Sequence, residues 1–98
     1  MIKIEHPGIM LKQDFLDDMG IKSGTFAKAI GVDRSAIKNI IDGNRAITAD
    51  MSIRFGLFFN MSTGFWINLQ KDYDLRTAKR DRLSEFIKIV QPFEGLSV

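Results

Sequence analysis

The sequence is most constrained by residues 23–45, which read as two short helices joined by a tight turn. Each half repeats apolar residues at helical spacing. These residues are Phe26, Ala27 and Ile30 in the first half and Ile37, Ile40 and Ile41 in the second. Ala27 and Gly31 suit the junction, because a small side chain lets the second helix cross closely and glycine accepts a positive φ. Asp33 is placed to cap the second helix and Gly43 to end it, so the segment predicts a helix-turn-helix.

The second helix of this motif carries polar side chains on the face opposite its isoleucines. They are Arg34, Ser35, Lys38 and Asn39. Because these residue types hydrogen-bond to base edges in a major groove, we take them as candidate base contacts. Four more residues, in the first helix or in the loop after the second, are candidate phosphate contacts. They are Ser23, Lys28, Asn44 and Arg45. The alternative is an ordinary solvated face on a helical hairpin.

The composition narrows the class of protein. A chain of 98 residues makes one domain, and 45% hydrophobic residues suffice for a core. There is no cysteine and a single histidine, His6, so disulfides, thiolate metal sites and a catalytic triad are not expected, nor is a cofactor. The formal net charge of +2 permits nucleic-acid binding without demanding it. No apolar run is long enough for a membrane span and no signal peptide is evident, so a cytoplasmic protein is expected.

Helical patterns account for most of the remaining chain. We expect helices near residues 8–19, 49–59 and 63–76 and a further helical segment near 78–90, which makes the protein all-α. In the first of these, Leu11, Phe15 and Met19 fall on one face. Residues 49–59 are apolar nearly all round, which predicts the buried centre of the domain. Thr48 is placed to cap that helix and Ser62 to cap the next.

Two apolar groups near the C-terminus have more than one interpretation. The first group is Phe65, Trp66, Leu69 and Tyr73. Such a group is usually core, but large apolar patches rarely face water, and we take these four residues as a candidate dimer interface. The second group is Leu83, Phe86, Ile87 and Val90. That stripe either packs back on the domain or serves a partner.

Three stretches of sequence carry a family resemblance. They are H-P-G-I-M-L from His6, G-N-R-A-I-T-A-D from Gly43 and F-W-I-N-L-Q-K-D-Y-D-L from Phe65. With them the chain resembles the HigA-type (virulence-associated protein I-like) antitoxins of bacterial toxin–antitoxin addiction modules, in the Cro/C1 (XRE) repressor group. The resemblance implies a five-helix, lambda-repressor-like domain, a homodimer and binding to double-stranded operator DNA. It also implies a partner toxin of the RelE-like (HigB-type), mRNA-cleaving kind.

Three positions depart from the pattern of that family. Ile9 stands where its members commonly have Glu, and Lys22 stands where they commonly have a Ser or Thr cap, a place that Ser23 is able to take. Asp42 stands where many have Asn, and a carboxylate facing phosphates would weaken or reshape a DNA contact.

The sequence therefore predicts an antitoxin and transcriptional autorepressor that binds operator DNA as a dimer and neutralises its toxin by binding it. Two other functions stay open: a stand-alone Cro/C1-type repressor without a toxin, and a protein-interaction module that does not bind DNA. No acid–base pair or activated nucleophile stands out, so an enzyme is not expected. We assign residues 6–76 to the helix-turn-helix domain and 77–98 to its C-terminal helical extension and tail.

Overall fold

The computed structural model describes residues 4–96, and every regular element in that range is helical. The elements are α1 (Pro7–Met10), a π-helix (Leu11–Asp17), α2 (Ser23–Ile30), α3 (Arg34–Ile41), α4 (Ala49–Phe59), α5 (Phe65–Ile89) and a 3₁₀ turn (Phe93–Leu96). The predicted all-α class is confirmed, and residues 4–96 contain no strand. No helix in this range is both long and apolar enough to cross a membrane. Residues 97 and 98 of the predicted tail lie outside the described range.

Helices α2 and α3 form the helix-turn-helix that we predicted within residues 23–45. Gly31 ends α2 in the left-handed conformation, at φ 76°, and its N–H donates to the Lys28 carbonyl at 3.2 Å. An L side chain is strained in this conformation, so glycine lets the chain reverse direction within one residue. Phe26 and Ile37 point inward from the two helices and are fully buried. The hairpin is therefore anchored by its own apolar faces.

The first predicted helix contains a π-helical segment that changes which residues face inward. Leu11 and Leu16 are buried, whereas Met19 is 55% exposed. The predicted stripe of Leu11, Phe15 and Met19 is therefore wrong at Met19. The physical reason is the i→i+5 repeat of a π-helix, which brings residues five apart onto one face in place of residues four apart.

Helix α4 supplies the centre of the core, but only on one side. Phe55 is fully buried, while Ile53 is 46% and Leu57 is 69% exposed. The expectation that this helix is the buried centre of the domain is wrong at these two positions, because no element among residues 4–96 covers that side of α4. Thr48 caps the helix as predicted, since its side chain accepts from the Met51 N–H.

Helix α5 is one continuous helix of 25 residues, where we expected two. The stretch where we expected these two helices to be separated contains no glycine or proline. Charged pairs one turn apart, Asp72 with Arg76 at 3.0 Å and Arg82 with Glu85 at 3.1 Å, add to the support for the helix. Gly64 occupies the N-cap position that we assigned to Ser62.

The second half of α5 leaves the body of the domain. Residues 78–90 are all exposed, and the molecule measures 60 × 26 × 21 Å. The apolar stripe of Leu83, Phe86, Ile87 and Val90 therefore does not pack back on the described part of the domain.

The four candidate interface residues at the start of α5 separate into two kinds. Phe65, Leu69 and Tyr73 are partly exposed, whereas Trp66 has no exposed surface. Trp66 therefore has no surface with which to contact a second subunit directly, and the prediction that it belongs to a dimer interface is wrong. Its indole lies inside the single chain, against the rings of Phe15 and Phe55.

His6 joins the start of α1 to the loop that follows α3. Its Nδ1 accepts the Gly8 N–H at 2.9 Å, and its other ring N–H donates to the backbone of Arg45. A neutral imidazole with its proton on Nε2 satisfies both contacts. Burial lowers the pKa of His6, while Asp74 and the Arg45 backbone act in the opposite direction. His6 is thus the N-cap residue of α1.

The lowered pKa of His6 predicts a loss of stability in mild acid. Because the unfolded chain takes up the proton at a higher pH than the folded one, the free energy of unfolding is constant well above pH 6.5. It falls as the pH drops from about 6.5 through the folded-state pKa. Asn is a good capping residue that does not titrate here, so His6→Asn should flatten this dependence. Urea unfolding of both proteins at pH 7.5, 6.5 and 5.5 measures the difference, and equal slopes would contradict the prediction.

Candidate nucleic-acid interface

Helix α3 presents a polar row to solvent because its apolar row is buried. Ala36, Ile37 and Ile40 face the core. The four candidate base contacts, Arg34, Ser35, Lys38 and Asn39, are all exposed. Asp33 occupies the N-cap position, but its carboxylate makes no capping hydrogen bond to the described first turn of α3. The outer face and the first turn of α3 are therefore both available to a ligand.

Arg34 lies across the start of the neighbouring helix α2. A Cβ atom built on Gly24 would be 3.4 Å from the Arg34 Nε, so the guanidinium rests on the first turn of α2. The side chain shares a shallow depression with Lys12, Lys22 and Ser23. Lys22, not Ser23, is the N-cap residue of α2, and its side chain makes no capping bond within the described structure. Cationic side chains and helix N–H groups meet here, and both attract phosphate.

Sequence reasoning missed Lys12 and Lys22 as members of this depression. Lys22 had a detectable signal, since it immediately precedes the first helix of the motif. Lys12 had none, because it comes from the π-helix and reaches the site only through tertiary packing. Its Nζ contacts the Asp17 carboxylate at 2.5 Å, and both side chains are about half exposed, at 43% and 53%. An exposed pair of this kind is weak, so the Lys12 ammonium is able to exchange partners.

Lys38 forms an ion pair with Asp42, one turn further along. The distance from Lys38 Nζ to Asp42 Oδ2 is 3.1 Å, and the Lys38 side chain is 73% exposed. Asp42 is the carboxylate that we noted as a departure from the pattern of the resembled family. The structure gives that carboxylate a partner inside the candidate base-contacting row, and the Lys38 ammonium keeps further N–H donors for a ligand.

The other candidate phosphate contacts lie away from this depression. Asn44 and Arg45 are exposed in the loop after α3, where the Asn44 N–H donates to the Asn39 carbonyl at 2.9 Å. Lys28 is exposed on α2 but does not line the depression that holds Ser23. The candidates thus form two clusters, one at the start of α2 and one in the α3–α4 loop, with Lys28 apart from both.

Charged residues are unevenly distributed along the chain, although the formal net charge is only +2. Residues 22–45 hold five basic and two acidic residues, a formal charge of +3. Residues 4–21 hold one basic and four acidic residues, a formal charge of −3. The helix-turn-helix is therefore the positive part of a domain whose first helix is negative. A field of this kind orients an approaching polyanion towards α2 and α3.

The described residues offer little for other chemistry. They contain no group of three or more histidine, aspartate or glutamate side chains able to hold a metal ion. A solvent-open groove of about 320 Å³ lies beside His6 and Tyr73. Its acidic and basic groups include the Asp72–Arg76 pair.

Comparison with known proteins places the chain in a family, although no protein-family model matches it. Virulence-associated protein I of Dichelobacter nodosus is 38% identical over 87 residues, covering 89% of this chain and 79% of the relative. Antitoxin HigA-1 of Vibrio cholerae serotype O1 is 39% identical over 85 residues, covering 87% of this chain and 79% of the relative.

Solved structures agree with these relatives. The Pseudomonas aeruginosa antitoxin HigA, solved with the higBA promoter, superposes with a TM-score of 0.88 at 34% identity. The match covers 93% of this chain and 99% of that one. The similar proteins are antitoxins and helix-turn-helix transcription regulators, not enzymes. On these identities and coverages, the chain belongs to the HigA, or virulence-associated protein I-like, family of antitoxins.

Proposed function

We propose that this protein binds operator DNA in its own promoter and neutralises a toxin by binding it. The observation that carries the DNA part is the exposed row of Arg34, Ser35, Lys38 and Asn39 on the second helix of a helix-turn-helix. A helix so presented fits a major groove, where these side chains meet base edges. A relative of the same fold was solved with promoter DNA, which supports DNA binding as the function.

The two clusters around this row supply contacts to the DNA backbone. Ser23 and the lysines beside it flank one end of α3, and Asn44 and Arg45 follow its other end. We propose that these groups, with Lys28, bind phosphates and fix the register, while α3 chooses the sequence. In this arrangement residues 6–76 are the DNA-binding domain and 77–98 its extension.

Substitution of one arginine from each group should separate the two roles. Arg34→Ala should cost about 1–3 kcal/mol on the promoter and little on scrambled DNA, because a base contact depends on sequence. Arg45→Ala should weaken both alike and reduce the slope of log K against log salt by about one, because a phosphate contact releases counterions. Fluorescence anisotropy across a salt series measures both.

Both arginines are exposed, so thermal melts of the two variants should match wild type and serve as the control. Wild-type protein that does not prefer its promoter over scrambled DNA would overturn the repressor function. That result would favour the protein-interaction module.

We propose further that the protein is a dimer joined along α5. Leu83 and Ile87 follow Phe65 and Leu69 by 18 residues, which is five turns of helix. The face of α5 that packs on the domain therefore continues beyond it as an exposed apolar stripe, completed by Phe86 and Val90. Two copies that cover this stripe remove it from water. A two-fold dimer then sets the recognition helices about 34 Å apart, one turn of DNA.

A charge placed on the stripe should separate the subunits without unfolding them. Ile87 is 68% exposed in the single chain, so Ile87→Asp leaves the core intact. Burial of an aliphatic side chain contributes about 1.5–3 kcal/mol, and the change occurs twice per dimer, so the dimer Kd should rise about a hundredfold or more. Sedimentation velocity at micromolar concentration measures this. Ser84→Asp, on the same stretch of helix but off the stripe, should stay dimeric, and a monomeric wild type with and without DNA would refute the dimer.

Membership in a family of antitoxins supports the existence of a partner toxin. We propose a RelE-like, HigB-type ribonuclease encoded beside this protein. Purified toxin should cleave mRNA alone and lose that activity when this protein is added in equimolar amount. If no adjacent gene encodes a small basic ribonuclease, the protein is a stand-alone repressor.

A further inference from the structure

The α3–α4 loop carries two of the proposed phosphate contacts and lacks regular secondary structure. Residues 42–46 are exposed, and only Ile47 is buried, at 1% exposure. At its start the loop is tied to α3, since the Gly43 N–H donates to the Ile40 carbonyl at 3.1 Å. A loop held at one end alone would have to lose conformational entropy when it binds DNA.

The far end of this loop is held by a buried amide on α5. Gln70 is 3% exposed, and its Oε1 accepts the Ile47 N–H at 2.9 Å across 23 residues of sequence. Its Nε2 donates to Asp74 Oδ1 at 3.0 Å. A buried amide is costly unless its polar groups are paired. Here the side-chain carbonyl of Gln70 holds the loop backbone at Ile47, and its hydrogen bond to Asp74 orients the amide.

A second tie reaches the same loop from the N-terminal side. His6 shares a hydrogen bond with the Arg45 backbone and lies edge-on to the Tyr73 ring, with centroids 5.1 Å apart. A Cβ atom on Gly43 would be 3.8 Å from the His6 Cβ. The loop is therefore braced from behind by one turn of α5 and by His6, which leaves its outer surface free.

We propose that Gln70 is a positioning residue for DNA binding: it acts through the Ile47 N–H to fix the loop so that Arg45 meets phosphate without a further ordering step. Gln70 itself does not touch DNA, because it is buried behind the loop. This inference rests on the proposed function and names the residue that fixes the loop before Arg45 contacts the DNA backbone. It also makes the turn of α5 that holds Gln70 and Tyr73 part of the DNA-binding apparatus.

The variant Gln70→Met tests this role, because it removes the acceptor for the Ile47 N–H while keeping the length of the side chain. Affinity for the protein's own promoter should fall about three- to tenfold, within the range of couplings in one hydrogen-bonded network. The slope of log K against log salt should decrease towards that of Arg45→Ala. Measurements are made on full-length protein at a temperature where melts show each variant folded.

A double-mutant cycle separates positioning from general damage. In the Arg45→Ala background, Gln70→Met should have little further effect, because the contact that it positions is already gone. In the Lys28→Ala background its full effect should persist, because Lys28 lies on α2 and not in the loop. If Gln70→Met does not fold, Gln70→Asn, which shortens the amide by one methylene, replaces it in both cycles.

The outcomes distinguish the inference from the function on which it rests. Wild type that does not prefer its promoter would overturn the proposed function. Wild type that does prefer it, together with a Gln70 variant of unchanged affinity and salt slope, would overturn only the positioning role. Equal losses in the Arg45→Ala and Lys28→Ala backgrounds would do the same, since they indicate a structural defect without a specific link to the loop.

Discussion

The packing of Phe26 against helix α4 is the contact on which the rest of the structure depends. Its ring centroid lies 5.3 Å from that of Phe55, 5.0 Å from Phe58 and 5.4 Å from Phe59. This cluster seats α2 on α4, and α3 then closes over the same core with Ile37 and Ile40. The polar row on α3 points in a defined direction only because the buried side of α3 is fixed against this core.

The elements that sequence predicted well are those whose signals are local. Helices α2, α3 and α4 combine apolar repeats with a clear stop or cap, such as Gly31 and Thr48, and their bounds were predictable. The middle of α5 has charges but few apolar residues, so periodicity predicted a break there that does not exist. The π-helix was not predictable, because its i→i+5 pattern differs from the α-helical template only in placing Leu16 inside and Met19 outside.

The same distinction applies to the candidate site. The exposed polar row on α3, our candidate for base contact, follows from the buried row on the same helix, so eight consecutive residues suffice to predict it. Lys12 and Gln70 come from other elements, and nothing near them in sequence indicates that they approach α2 or the loop at Ile47. These contacts become visible only when residues distant in sequence, 23 positions apart for Gln70 and Ile47, are brought together by the fold.

Trp66 gives the protein a built-in optical probe. It is the single tryptophan of the chain, fully buried, with the rings of Phe15 and Phe65 at 4.9 and 5.4 Å. Its Nε1 has no hydrogen-bond partner in the described part of the chain, and aromatic rings pack around the indole. Intrinsic emission from this indole therefore lies at short wavelength in the native protein and moves to longer wavelength when the core opens. Because the polar row on α3 is exposed while the indole is enclosed, the signal follows folding, and a label on α3 remains free to follow the ligand.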